Sequence, residues 1–234
     1  MIRLPGWFRK SIAPLMLAVM PFLLNGQTFQ FKNYDSNMGL PQNFIYCLEQ
    51  DNDGFLWIGT GEGLVRYDGL KFISFSTRDS LAADFIMSLK VADDGALWIG
   101  HNNGDVTYYK DGIFKPIRLP GTNSPVRCIN FDQQGNVWLT IQNSGFAKID
   151  KYHNVSTWFD TGSLGYTLFY SIYPLGDNVV LLGTSEGLMR LTGGAQGKIQ
   201  SLEKFTDIPL KMRVFTALPL MNHLPNKLLI KTSA

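Results

Sequence analysis

Three tryptophans set the frame for this chain. The segments QDNDGFLWIGT (50–60), VADDGALWIGH (91–101) and FDQQGNVWLTI (131–141) align on Trp57, Trp98 and Trp138, which stand 41 and 40 residues apart. A fourth copy, DNVVLLGTSEGLMRL at 177–191, puts Leu181 in the tryptophan slot, and NKLLIKTS at 226–233 is a faint fifth with Leu229 there. A period near 40 made of short strands indicates propeller blades. Helical repeats of similar period need apolar residues every 3.6 positions, and these copies lack that spacing.

Each copy reads as four strands joined by tight turns. In the first, Ile45–Gln50 alternates, Asp51-Asn52-Asp53-Gly54 turns, and Phe55–Gly59 forms a second strand. Gly61-Glu62-Gly63 turns into Leu64–Tyr67, and Asp68-Gly69 turns into Lys71–Phe75. Gly54, Gly95 and Gly135 occupy one turn position in three copies, where a hairpin calls for positive φ. The expected fold is all-β: a β-propeller of four-stranded antiparallel blades of about 40 residues. It is incomplete, with four blades (about 37–76, 77–119, 120–160 and 161–203) and part of a fifth (204–234). Trp57, Trp98 and Trp138 are expected to wedge between adjacent blades.

The chain starts with an address. Arg3, Arg9 and Lys10 precede an uncharged stretch from Ile12 to Leu24, and Asn25-Gly26-Gln27 follows. That order, with an apolar run too short for a comfortable membrane span, reads as a secretory signal peptide over 1–26. Its removal takes three cations and no acid, so a formal net charge of +2 becomes −1. Residues 27–234 then belong outside the cytoplasm. With 45% hydrophobic and 13% aromatic residues the chain is no disordered tail. Without a basic stripe it is no nucleic-acid binder. Two cysteines and three histidines exclude a disulfide framework and a Cys/His metal cluster. Cys47 and Cys128 fall in the same slot of the first and third copies, with Ser88 and Ser171 in the others. A blade between them keeps them too far apart to bond, so both are expected as free, buried thiols.

The run NMGLPQNFIYCLEQDNDGFLWIGTGEGLVRYDGLKFISF at 37–75 resembles the two-component regulator propeller repeat. The resemblance is strongest in this copy, good in the next two and weaker in the fourth. It implies the periplasmic sensor region of a hybrid two-component histidine kinase of the Bacteroidetes type. Such a region senses a ligand, often an oligosaccharide, and controls a phosphorelay through domains beyond the membrane. The partners it implies are that ligand and the remainder of an inner-membrane receptor, homodimeric in the parent, with no cofactor. Seven blades would take roughly 280 residues, so the chain reads as an N-terminal part of such a receptor, or as a non-functional truncated product.

No catalytic set stands out. His101, His153 and His223 have no partner spacing for a metal or a triad. Asp51-Asn52-Asp53-Gly54 lacks the rest of a calcium loop, and similar turns occur in sialidase-type propellers without a paired acid and nucleophile here. A secreted propeller enzyme, lyase or glycosidase-like, is the alternative from another class. For a ligand, strand alternation gathers two loops per copy on one face. These loops nominate Gln42, Glu62, His101, Asn102, Asn123, Gln142 and Tyr166, an amide-rich set that varies within a fixed frame, with Tyr166 as a stacking platform. One position after Gln42 and its counterparts, Asn43, Asp84, Ser124 and Thr167 are expected to cap backbone. Arg66, Lys148 and Arg190 share a third-strand slot and are expected in blade-edge ion pairs.

Overall fold

A computed structural model describes residues 33–160, 168–176, 179–193 and 199–204. The expected signal peptide and fifth copy lie outside them. The described chain is almost entirely β, in four antiparallel sheets whose strands follow chain order. The first sheet holds β1 (Ile45–Gln50), β2 (Leu56–Thr60), β3 (Gly63–Tyr67) and β4 (Phe72–Phe75). The second holds β5 (Ile86–Val91), β6 (Leu97–His101), β7 (Val106–Lys110) and β8 (Ile113–Ile117). In the third are β9 (Val126–Phe131), β10 (Val137–Ile141), β11 (Gly145–Ile149) and β12 (Val155–Asp160). The fourth contains β13 (Phe169–Gly176), β14 (Val179–Thr184), β15 (Gly187–Gly193) and β16 (Ile199–Lys204). The first strands β1, β5, β9 and β13 pack successively on one another, as the innermost strands of propeller blades do. The incomplete propeller read from the repeat is therefore the observed architecture.

Strand ends differ from expectation where a turn carboxylate captures an amide. β2 starts at Leu56 because the Phe55 N–H donates to Asp51 Oδ1 at 2.9 Å, and β4 starts at Phe72 because the Lys71 N–H donates to Asp68 Oδ1 at 2.8 Å. Gly54, Gly95 and Gly135 have φ of +87°, +82° and +78°, the left-handed backbone the turns required.

The tryptophans are buried wedges. Trp57 clusters with Ile86, Leu89 and Leu97 of the second blade, Trp98 with Val126 and Ile129 of the third, and Trp138 with Phe169 and Ile172 of the fourth. Leu181, in the same slot, is buried too. Burying each such side chain stabilises by roughly 2–3 kcal/mol. The indole N–H must also find an acceptor. Trp57 Nε1 donates to Asp51 Oδ2 at 2.6 Å and Trp138 Nε1 to Asp132 Oδ2 at 2.9 Å, so one carboxylate closes the hairpin and anchors the wedge. The second blade has Ala92 in that slot, and Trp98 instead meets Tyr108 and His153 edge-on, both at 5.3 Å.

The glycine two residues after the tryptophan has a separate cause. A Cβ on Gly59 would strike Cys47 Sγ and come within 2.8 Å of Ile86 Cγ2 in the next blade. On Gly100 it would strike Ser88 Oγ and come within 2.7 Å of Val126 Cγ1. The glycine is the place where two blades touch through the backbone, and the small residue facing it (Cys47, Ser88, Ser171) follows from the same crowding. Both cysteines are free, as expected, but each residue is half-buried rather than fully buried. Burial pushes the Cys47 thiol up to about 12 and raises that of Cys128.

One face of the first blade differs from its counterparts. Ile45 is 40% and Leu48 56% exposed, whereas Ile86 is 0% and Leu89 8% exposed at the same positions of the second blade. Those positions lie under the preceding blade wherever one is described.

Candidate functional site

Backbone bonds bring the nominated loops to one end of every blade. The Asn102 N–H donates to the Phe85 carbonyl (3.1 Å), Gln142 N–H to Pro125 (2.9 Å) and Ser185 N–H to Leu168 (2.9 Å). Each bond ties the turn between a blade's second and third strands to the segment entering its innermost strand. In the first blade the Gln42 carboxamide takes over this link. With its oxygen turned inward it accepts from Gly61 N and, at 3.0 Å, from Glu62 N.

The motif Gly39-Leu40-Pro41-Gln42-Asn43 is thus an entry joint. Gly39, at φ +107°, ends a short 3-10 turn (Ser36–Met38), and Leu40 plugs into Ile58 and Val65. Asn43 Oδ1 then accepts from Ser36 N at 2.9 Å, and Asp84 Oδ1 does the same for Thr77 N at 2.6 Å one blade on. The capping expected at this slot holds for these two but not for Ser124, whose own N–H donates to Thr122 Oγ1 at 3.4 Å. Thr167 lies outside the described residues.

The nominated residues fall into different roles. Glu62 and Asn123 are exposed; Gln42, Asn102 and Gln142 are half-buried, Gln42 serving the joint just described. Tyr166 lies outside the described residues. His101 lies beneath the rim rather than on it, with 0% exposure, because it ends the buried strand β6. Its Nε2 lies 2.8 Å from Thr107 Oγ1, which accepts from Ala82 N at 2.9 Å. Burial lowers its pKa to about 4, so the imidazole is neutral and braces the loop.

Around Asn123 the rim forms an open hollow of about 310 Å³, shared with Asn103, Asp105, Arg118 and Thr122. Asp105 is the organiser. Its Oδ1 accepts from Leu119 N at 3.1 Å, its Oδ2 accepts from Asn103 Nδ2 at 3.1 Å, and Arg118 Nε lies 3.9 Å from Oδ2. Gly104, at φ +90°, lies so close to Thr122 that a Cβ would strike its hydroxyl. A carboxylate, an amide, an exposed guanidinium and a hydroxyl around one hollow suit a polyhydroxylated solute. Sequence reasoning missed Asp105, Arg118 and Thr122, although a signal existed: Asp105 stands where the other copies have Gly63, Gly145 and Gly187.

A second hollow of about 210 Å³ is lined by Asp132, Asn136, Trp138 and Lys148 of the third blade and by Pro174 and Val179 of the fourth. Burial pushes the Asp132 carboxyl up, but bonds from Trp138 and Asn136 and the Lys148 ammonium at 3.6 Å outweigh it and hold its pKa below the usual range. Lys148 therefore pairs within its blade as expected. Arg66 does not: its guanidinium lies 4.6 Å above the Phe55 ring. Arg190 is exposed, with no ion pair among the described residues. No cluster of three metal-ligating side chains occurs among the described residues.

Comparison with known proteins agrees with this picture. The model of the two-component regulator propeller family matches residues 39–62, which run from the entry joint to the first rim turn. Virginiamycin B lyase from Staphylococcus aureus is similar in structure, with TM-score 0.58 and 18% identity over 79% of this chain and 61% of the lyase. The extracellular domain of a protein described as a hybrid two-component system from B. thetaiotaomicron gives TM-score 0.56 and 23% identity, over 77% of this chain and 25% of that one. A second such domain, described as part of a one-component system of the same organism, gives 0.53 and 25%, over 74% and 23%. No curated protein matches the sequence. The chain spans less than two thirds of each of these structures, and the likeness at 18% and 23% identity is one of fold. The chain is a β-propeller protein whose first copy, over residues 39–62, matches the two-component regulator propeller family.

Proposed function

We propose that this propeller is the ligand-sensing part of a two-component signalling receptor, placed in the periplasm and taking an oligosaccharide on its rim. The observation that carries the reading is the hollow at Asn123. A fixed backbone link holds the rim turn in each of the last three blades, while the residues on it vary. Within that frame Asp105, Asn103, Arg118 and Asn123 line one polar hollow. The family repeat and the two B. thetaiotaomicron domains support a signalling role. Occupancy of the rim would bias how the propeller sits on the rest of a dimeric receptor, and so set a phosphorelay.

The test is calorimetric titration of the purified chain with a panel of neutral and acidic oligosaccharides. At least one binds, and Asn103→Ala with Asn123→Ala weakens it about tenfold or more, since each lost hydrogen bond is worth roughly 0.5–1.5 kcal/mol. Unchanged affinity in that variant, or no binder in the panel, refutes the reading. A second reading, a propeller lyase, is favoured by the likeness to virginiamycin B lyase. Incubation with virginiamycin B, read by liquid chromatography for loss of the intact compound, decides it.

A further inference from the structure

Every innermost strand carries one extra residue near its start. The pairing register skips between Ile45 and Cys47, Ile86 and Ser88, Val126 and Cys128, and Phe169 and Ser171. The four bulged residues are therefore Tyr46, Met87, Arg127 and Tyr170, at the same register position near the start of each innermost strand. Bulges recur at functional sites because they re-aim a side chain. In the first blade the bulged Tyr46 ring reaches Phe85 of the next blade at 4.7 Å.

Arg127 is the exception in this set. Three blades fill the slot with an uncharged residue, so the bulge itself needs no cation. Arg127 is half-buried, and its Nε is buried with no hydrogen-bond partner. Among the described residues no carboxylate lies within ion-pair reach of it, and no aromatic ring lies under its guanidinium. Arg66 also has an unpartnered Nε, but it is stacked on Phe55. A buried guanidinium N–H left unsatisfied is destabilising, and a planar fork of donors matches a carboxylate or sulfate in two parallel bonds. Two residues before Arg127 is Pro125, which holds the rim residue Gln142, and two residues earlier still is Asn123 of the hollow.

We propose that Arg127 anchors an anionic substituent, the carboxylate of a uronic acid or a sulfate ester, on the sensed oligosaccharide. The inference rests on the sensing function proposed above and names its ligand class. The experiment titrates the full chain with three probes of matched length: an oligogalacturonate, a sulfated galactan oligosaccharide and a neutral galactan oligosaccharide. Wild type, Arg127→Gln and Arg127→Lys are compared, with a melting curve for each. At least one anionic probe binds tenfold or more tighter than the neutral one. Arg127→Gln loses about 10- to 100-fold for that probe and nothing for the neutral one, and Arg127→Lys falls between. Preference for the oligogalacturonate identifies a carboxylate, and preference for the sulfated galactan a sulfate. Equal binding of anionic and neutral probes by wild type overturns the inference while leaving the sensing function standing, even if Arg127→Gln fails to fold. Unchanged anionic affinity in a folded Arg127→Gln overturns it as well. Binding of none of the three defeats the sensing function itself.

Discussion

Replacing Gly100 by alanine tests whether blades of this protein really touch through a glycine. The added methyl would strike Ser88 Oγ and lie 2.7 and 2.8 Å from Cγ1 and Cβ of Val126, atoms on two innermost strands that cannot swing aside. Overpacking of this kind costs roughly 1–3 kcal/mol. Parting the strands also loosens the bond from Ser88 Oγ to the Val126 carbonyl, 2.8 Å and buried, worth about 1 kcal/mol more. The sum, about 2–4 kcal/mol, lowers the melting temperature by roughly 5–15 °C for a domain of this size. Gly135→Ala is the control. It has φ +78° but nothing within 4 Å of its Cβ, so only backbone strain of about 1–2 kcal/mol applies. Thermal unfolding by circular dichroism, with tryptophan fluorescence as second probe, compares the two. If Gly100→Ala is no more destabilising than Gly135→Ala, the close-approach argument is wrong.

Further outcomes follow from burial and charge. His101 has a folded pKa of about 4 against an ordinary 6.5, so the unfolded chain takes up its proton first as pH falls. Stability is full above pH 6.5 and declines by about 3 kcal/mol toward pH 4; His101→Gln removes this share of the slope in urea titrations at pH 7 and pH 5, and an unaltered slope counts against it. Leu89→Ala costs roughly 2–4 kcal/mol in urea unfolding, whereas Leu48→Lys, at the same position of the first blade but 56% exposed, changes stability by less than about 0.5 kcal/mol. Comparable losses in both would contradict the blade register. Cys47 and Cys128 stay unreactive to a disulfide reagent at pH 8 in the native chain and react after unfolding, because burial raises both thiol pKa values; native labelling within minutes would disprove this. On export from a Gram-negative host, mass spectrometry of the secreted chain finds an N-terminus near Gln27, and an intact Met1 would refute the signal peptide.

The repeat made the architecture legible because blade packing leaves a local imprint in each copy. A three-residue hairpin loop needs positive φ at its last residue, hence Gly54, Gly95 and Gly135; a wedge needs a large apolar side chain, hence Trp57, Trp98, Trp138 and Leu181. Such demands are met within a dozen residues, so they recur at fixed spacing and can be counted along the chain. Even the free cysteines were legible, since their slot alternates with serine and the period separates them by a blade.

What tertiary structure alone decided is where those local units meet. His101 sits in a variable polar loop by sequence, yet it is the last residue of a strand buried from both sides, and only the packed blade withdraws it from solvent. Asn103, Asp105, Arg118 and Asn123 span a strand pair in sequence, and the fold draws them into one hollow. The bulge that places Arg127 among Tyr46, Met87 and Tyr170 is a property of strand pairing, a register skip that no single strand displays. Period, turns and wedges are short-range requirements written into each copy. The candidate hollow joins the β6–β7 turn to the segment leaving β8, and those residues become neighbours only once the second blade has paired its strands.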